Sequence, residues 1–260
     1  MEEFELFSQS VTHLALTLPR IAAAFLILPL ISQESMPPLM RNIFLASLAI
    51  AVFPFVAHSL QDQPISGIAL APVILKEIFI GVIIGYTFSV AFWALEGAGQ
   101  VIDNKIGTTT AQITDPLSGH QTTLMGELLS QLAGYLFVAF GGLLIFLELL
   151  LSSYAVWPVF DLFPDMRALS ELFLVERFEE LMRLILLLAA PVLVVLTLVE
   201  FGLGFVNRYA QQLNIFALSV PIKAWLGLFI ILLLLGNIVN FMLDWLDLQR
   251  GLLDALQRII

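Results

Sequence analysis

Residues 97–123, GAGQVIDNKIGTTTAQITDPLSGHQTT, form the longest polar interval in a chain otherwise made of strongly apolar runs. The stretch holds four glycines (Gly97, Gly99, Gly107, Gly119), Pro116 and six threonines, three of them consecutive (Thr108, Thr109, Thr110). Threonine is stiff and a poor helix former, and glycine and Asp-Pro interrupt periodicity, so the whole stretch is predicted to be an irregular loop. A connection of this length without an element of its own is usually functional or disordered. Its scattered apolar residues, Val101, Ile102, Ile106, Ile113 and Leu117, give it something to pack. They favour a re-entrant or pore-facing segment held between the helices on either side.

Composition says what those helices are. The chain of 260 residues is 60% hydrophobic and 12% charged, against roughly 45–50% and about 25% for a soluble domain. That is the composition of an integral membrane protein. Its net charge of -10 disfavours nucleic acid, which calls for clustered lysine and arginine, and a polybasic surface for anionic lipid. Without cysteine there is no disulfide framework, thiol nucleophile or thiolate metal site. The first residues, MEEFELFSQSVTH, carry three acids and no base. No cleaved secretory signal is therefore expected, and the first apolar run must itself direct insertion.

Apolar runs occur at 11–31, 43–57, 65–95, 124–151, 184–206 and 215–243. A spanning helix needs about 20 apolar residues, and several of these runs are short or interrupted: Pro19-Arg20 in the first, Pro54 in the second, Pro72 and Lys76-Glu77 in the third, Pro191 and Glu200 in the fifth. Such defects are tolerated within a protein assembly or beside a water-filled cavity, not in a lone helix facing lipid. The expected fold is all-α, with about six to eight hydrophobic helices, several broken by proline or charge. Lysine and arginine divide four against five between alternate loops, so the charge bias gives no orientation. Residues 165–183 and the tail 244–260 are amphipathic; the first suits an interface and the second caps the last helix. Gly81, Gly85 and Ser89 form a small-xxx-small stripe that packs a helix closely, either within this chain or against another subunit.

Catalytic patterns are thin. There is no phosphate-binding glycine motif and no HExxH. His13, His58 and His120 lie in separate segments, and Asp115, Ser118 and His120 are too close in one loop to make a triad. Neither catalytic residue, metal site nor cofactor is expected. The ionisable residues in the apolar runs are Arg20, Lys76, Glu77, Glu96, Glu148 and Glu200. Lys76-Glu77 is read as a helix start, while Glu148 and Glu200 read equally as structural ion pairs or as a polar pathway. The pathway reading supports an alternative function, a proton-coupled secondary carrier for a small solute.

Three fragments, in order, carry a family resemblance: LPRIAAAFLILPLISQESMPPLMRN, with Pro19-Arg20, Pro29, Pro37-Pro38 and Arg41; the 97–123 stretch, with Gly97, Ile102-Asp103, Gly107, Ala111, Asp115-Pro116 and Gly119; and LVEFGLGFVNRYAQQLNIFALSVPIKA, with Glu200, Gly204, Arg208, Asn214, Phe216, Pro221 and Lys223. Over essentially its whole length the chain resembles the FliR/SctT (SpaR, YscT) family of type III secretion export-apparatus membrane proteins. Ser153-Tyr154, Trp157-Pro158 and NRYAQQLNIF look more like the injectisome branch than the flagellar one. Relatives usually carry Pro-Gln where this chain has Gln211-Gln212, a change that would lengthen the preceding helix.

The resemblance implies a non-enzymatic protein of the bacterial inner membrane, one copy of which joins FliP/SctR-type, FliQ/SctS-type and FlhB/SctU-type subunits. Its helices would pack as hairpins within a larger helical assembly at the channel entrance for unfolded secreted proteins. The segment matching 97–123 would be a plug that helps to close the channel. On that reading Ile106, Gly107, Thr108, Thr109, Thr110 and Ile113 form the plug, uncharged from 106 to 114. Gly97, Gly99 and Gly119 are either its hinges or ordinary turn glycines.

Overall fold

The computed structural model describes residues 16–30, 37–57, 70–107, 113–114, 121–159, 175–209 and 215–257. Among these, eight helices occur: α1 (Leu16–Ile27), α2 (Pro38–Ala57), α3 (Leu70–Ile106), α4 (Leu124–Ala139), α5 (Gly142–Val156), α6 (Val175–Tyr209), α7 (Ile215–Leu233) and α8 (Leu235–Gln257). One two-stranded antiparallel ladder interrupts them, β1 (Ile113–Thr114) with β2 (Gln121–Thr122). The chain is a helical membrane protein. α3 and α6 are each long and apolar enough to cross a membrane, and up to four spans result if α4 with α5 and α7 with α8 each count as one bent span.

The chain divides into two compact units. The first holds Met1–Val90, Gly141–Arg177 and Leu246–Ile260. Here the stripe of small residues brings α3 against α1. A Cβ added to Gly81 would overlap the Arg20 carbonyl oxygen, and one on Gly85 would lie 2.5 Å from that of Ala24. Ser89 completes the contact, its hydroxyl 2.9 Å from the Ile27 carbonyl and 2.8 Å from its own Gly85 carbonyl. The stripe is therefore used inside the chain. Around it Phe25 meets Phe44 and Phe146 edge-on, at centroid distances of 5.5 and 5.0 Å, and Phe88 meets Phe146 at 5.1 Å. Such pairs add about 0.5–1.5 kcal/mol each beyond the area they bury.

The second unit holds Ala91–Phe140 and Phe178–Trp245. Its core includes Ile102, Ile106, Leu129, Phe137, Val192, Leu196 and Ile231, all buried. α6 is exceptional, because only 17% of its most apolar window is buried within the chain, against 72% for α3. Leu198, Phe201 and Phe205 are each about two-thirds exposed. In water such a surface would be unstable; in a membrane or an assembly it is an outer face.

Three expectations are corrected. The irregular stretch does not begin at Gly97: α3 continues to Ile106. Helix persists there because Ala98, Ile102 and Ile106, spaced by four, are all buried, and packing overrides the low propensity of the glycines. Pro191 does not end its helix, since α6 runs through it. Residues 175–183, read as part of a separate interfacial segment, are the first turns of α6; residues 165–174 lie outside the described residues. The tail is the continuation of α8, but its buried side chains are Trp245, Leu246 and Gln249, while Leu248 is exposed.

Candidate functional site

The connection between α3 and α4 is held at its base by three devices, all in the second unit. The first is a close approach of backbones. A Cβ on Gly99 would lie 2.5 Å from both the Gly126 nitrogen and the Met125 carbonyl oxygen, so only glycine lets α3 and α4 meet there. The second is a borrowed cap. Thr123 stands at the N-cap position of α4 but makes no side-chain capping bond; the Met125 N–H instead donates to Asp103 Oδ2 at 2.7 Å. A buried carboxylate from the last turn of α3 thus satisfies an orphan donor of α4 and opposes its positive dipole end. The third is the exit from α3. Gly107 has φ +92°, a left-handed conformation, and its N–H bonds the Asp103 carbonyl at 3.0 Å; a side chain there would be strained.

Beyond Gly107 the backbone closes on itself, Ile113 pairing with Thr122 and Thr114 with Gln121. The segment therefore leaves and re-enters through a narrow base.

Beside that base lies an ion cluster. Glu200 on α6 bonds Lys105 at 2.5 Å and Lys223 of α7 at 3.0 Å. Lys223 also donates to the Lys105 carbonyl at 3.0 Å, satisfying one of the carbonyls a helix end leaves free. One carboxylate so ties three helices together where the connection begins. Glu200, open between pairing and pathway in the sequence, is a paired residue.

The first unit contains a deeper polar network. Arg20 is fully buried, bonding Glu77 through Nε at 2.7 Å and Nη2 at 2.8 Å. It further donates to Ser153 Oγ at 3.0 Å and the Trp157 carbonyl at 2.8 Å, and its guanidinium lies 4.1 Å from the Tyr154 ring centroid. Lys76 sits 2.9 Å from Glu77 and donates to the carbonyls of Pro158 and Val159 at 2.8 and 2.6 Å. Lys76-Glu77 is thus no helix start: both lie inside α3, joining α1 and α3 to the end of α5. A bidentate, fully hydrogen-bonded arginine is the form in which a buried charge is tolerable.

Of the other sequence-marked residues, Glu96 accepts from Gln100 at 3.0 Å, and Glu148 is exposed on α5 in the first unit. Gly97, like Gly99, sits inside α3, with the Ile185 side chain 2.9 Å from where its Cβ would be. Both are packing glycines and not hinges at a loop end. Ile106 is the buried last residue of α3, not part of a projecting tip. Thr108, Thr109, Thr110, Gly119, the group Asp115, Ser118 and His120, and the site of Gln211-Gln212 lie outside the described residues. Sequence reasoning missed the roles of Asp103, Lys105 and Lys223. Asp103 and Lys223 stood out as motif residues and Lys105 only as a charge beside an apolar run, and neither signal says what a side chain faces.

We expect Gly99→Val to push α3 from α4 at a cost of about 1–3 kcal/mol, read as a lower melting temperature of the purified protein in detergent. Gly202→Ala, where nothing lies within 4 Å, should instead raise it by a small amount, about 0.5–1 kcal/mol.

The class that emerges is a helical membrane protein in which Arg20, Lys76, Glu77 and Lys223 are buried in ion pairs and the apolar helix α6 has little cover of its own. The chain belongs to the family described as bacterial export proteins, family 1, whose profile matches residues 11–248. It is 36% identical over 221 residues to the Yop proteins translocation protein T of Yersinia pestis, covering 85% of this chain and 84% of that one. It is 31% identical to the surface presentation of antigens protein SpaR of Salmonella typhimurium, covering 86% and 82%. Identity to the flagellar biosynthetic protein FliR of Escherichia coli is lower, 26%, over 85% and 84%. The injectisome side of the resemblance is thus the stronger. Type III secretion and export is the setting that these relatives share.

Proposed function

We propose that the chain is a non-enzymatic subunit of the type III protein export gate in the bacterial inner membrane, a multi-pass protein forming part of the entrance through which unfolded proteins leave. Its partners on this reading are subunits of the FliP/SctR, FliQ/SctS and FlhB/SctU types. The carrying observation is α6: a helix of 35 residues whose apolar window is 17% buried, in a chain alignable over most of its length with translocation proteins. Foreign helices would cover that surface. The 107–123 connection is the closing element, compact at its base and uncharged from 107 to 114. A pore seal must exclude ions yet yield to a passing polypeptide, which calls for a small segment on a fixed base.

The test is native mass spectrometry of the tagged protein, purified in mild detergent from its own host. One copy bound to several copies of two smaller membrane proteins is the expected result. A folded lone monomer or homodimer would overturn the proposal and return the carrier reading, with solute uptake by Glu148 and Glu200 variants as the next measurement.

A further inference from the structure

In the first unit, α1, α2 and the start of α3 enclose a cleft of ≈ 410 Å³, within the roughly 300–1,000 Å³ range of small-ligand sites. Small α1 residues, Ala22 and Ala23, line it together with Phe25, Leu45 and Ile78. The polar side chains that line it are Arg41 and Asn42 of α2. Among the described residues Arg41 has no acidic or hydrogen-bonding side-chain partner, in contrast to Arg20, whose guanidinium is saturated. Arg41 stands three residues after the first residue of α2, in a turn that holds no acid.

We propose that this cleft holds one acyl chain of an anionic phospholipid, whose headgroup phosphate is bound by Arg41. An apolar slot lined by one guanidinium that has no partner among the described residues has the polarity pattern of that molecule, the chain against the apolar lining and the phosphate on Arg41. Guanidinium matches phosphate with paired donors, and an arginine at membrane depth is stabilised by reaching the headgroup layer. The acidic balance of the chain as a whole, -10, repels anionic lipid in general. The selectivity is therefore local to Arg41 and not a property of a basic surface.

The test uses the full chain with its co-purifying subunits, placed in nanodiscs of equal parts phosphatidylglycerol and phosphatidylcholine of matched chain length. Lipids retained after transfer to detergent are counted by mass spectrometry. The wild type should retain phosphatidylglycerol over phosphatidylcholine by roughly fivefold, the effect of one cation near the membrane surface. Arg41→Gln should abolish the preference, Arg41→Lys should keep part of it, and Ala22→Phe, which fills the slot, should remove the retained lipid. An unselective wild type would overturn the proposal, and so would Arg41→Gln with undiminished preference. Capture of a partner polypeptide by a photo-crosslinker at Leu45 would overturn it as well, by showing that protein fills the cleft. None of these outcomes depends on whether the complex is an export gate.

Discussion

Glu77→Gln should be among the most damaging single changes in this chain. It takes from Arg20 and Lys76, both buried, the carboxylate that they share. Removing one partner of a buried pair costs about 3–5 kcal/mol, a large share of the roughly 5–15 kcal/mol that stabilises a typical protein. The expected readout is a collapse in the yield of folded, monodisperse protein. Arg20→Met should cost less, because Lys76 remains 2.9 Å from the Glu77 carboxylate and still compensates it. The paired change Arg20→Met with Glu77→Leu should be milder than the sum of the single changes. If the two single variants melt at the wild-type temperature, the network does not hold α1, α3 and the end of α5 together. The fold would then rest on the aromatic cluster around Phe25 and Phe146.

Deleting 108–120 from the proposed closing segment should leave assembly intact and make the assembled complex leak ions, measured as conductance in planar bilayers. The base is built from Gly99, Asp103, Gly107 and the Glu200 cluster, none of which the deletion removes, so partner binding should survive. Glu200→Gln gives an intermediate case. It leaves Lys223, 9% exposed at its side chain, bonded only to the Lys105 carbonyl among the contacts described. Discounted for the partial exposure of Glu200, the loss is about 1–2 kcal/mol. That corresponds to roughly a tenfold rise in the population with a released base, seen as brief openings and not a steady leak. Unchanged conductance in a correctly assembled deletion variant would remove the plug assignment.

The amino-acid sequence by itself determined the class. Hydrophobic content, scarce charge and the order of three motif-bearing fragments suffice for a helical membrane protein of the export family, because burial in lipid constrains composition along the whole chain. It also singled out Arg20, Glu77 and Glu200, which the structure places in ion pairs, since any ionisable group in an apolar run needs a reason. What it could not determine was where helices end and what each charge faces. Gly97 and Gly99 look like loop residues in one dimension; they lie in a helix held by the burial of Ala98, Ile102 and Ile106, and Gly99 gives room to Gly126, 27 positions away. Lys76 and Glu77 look like a helix start until Arg20, 57 residues from Glu77, is brought beside them. Asp103 looks like a loop acid until the bare N-terminus of α4 meets it. In each case local propensity is worth a few tenths to about one kcal/mol. Close packing or a buried ion pair is worth more, and the partners that supply it are chosen by the tertiary structure alone.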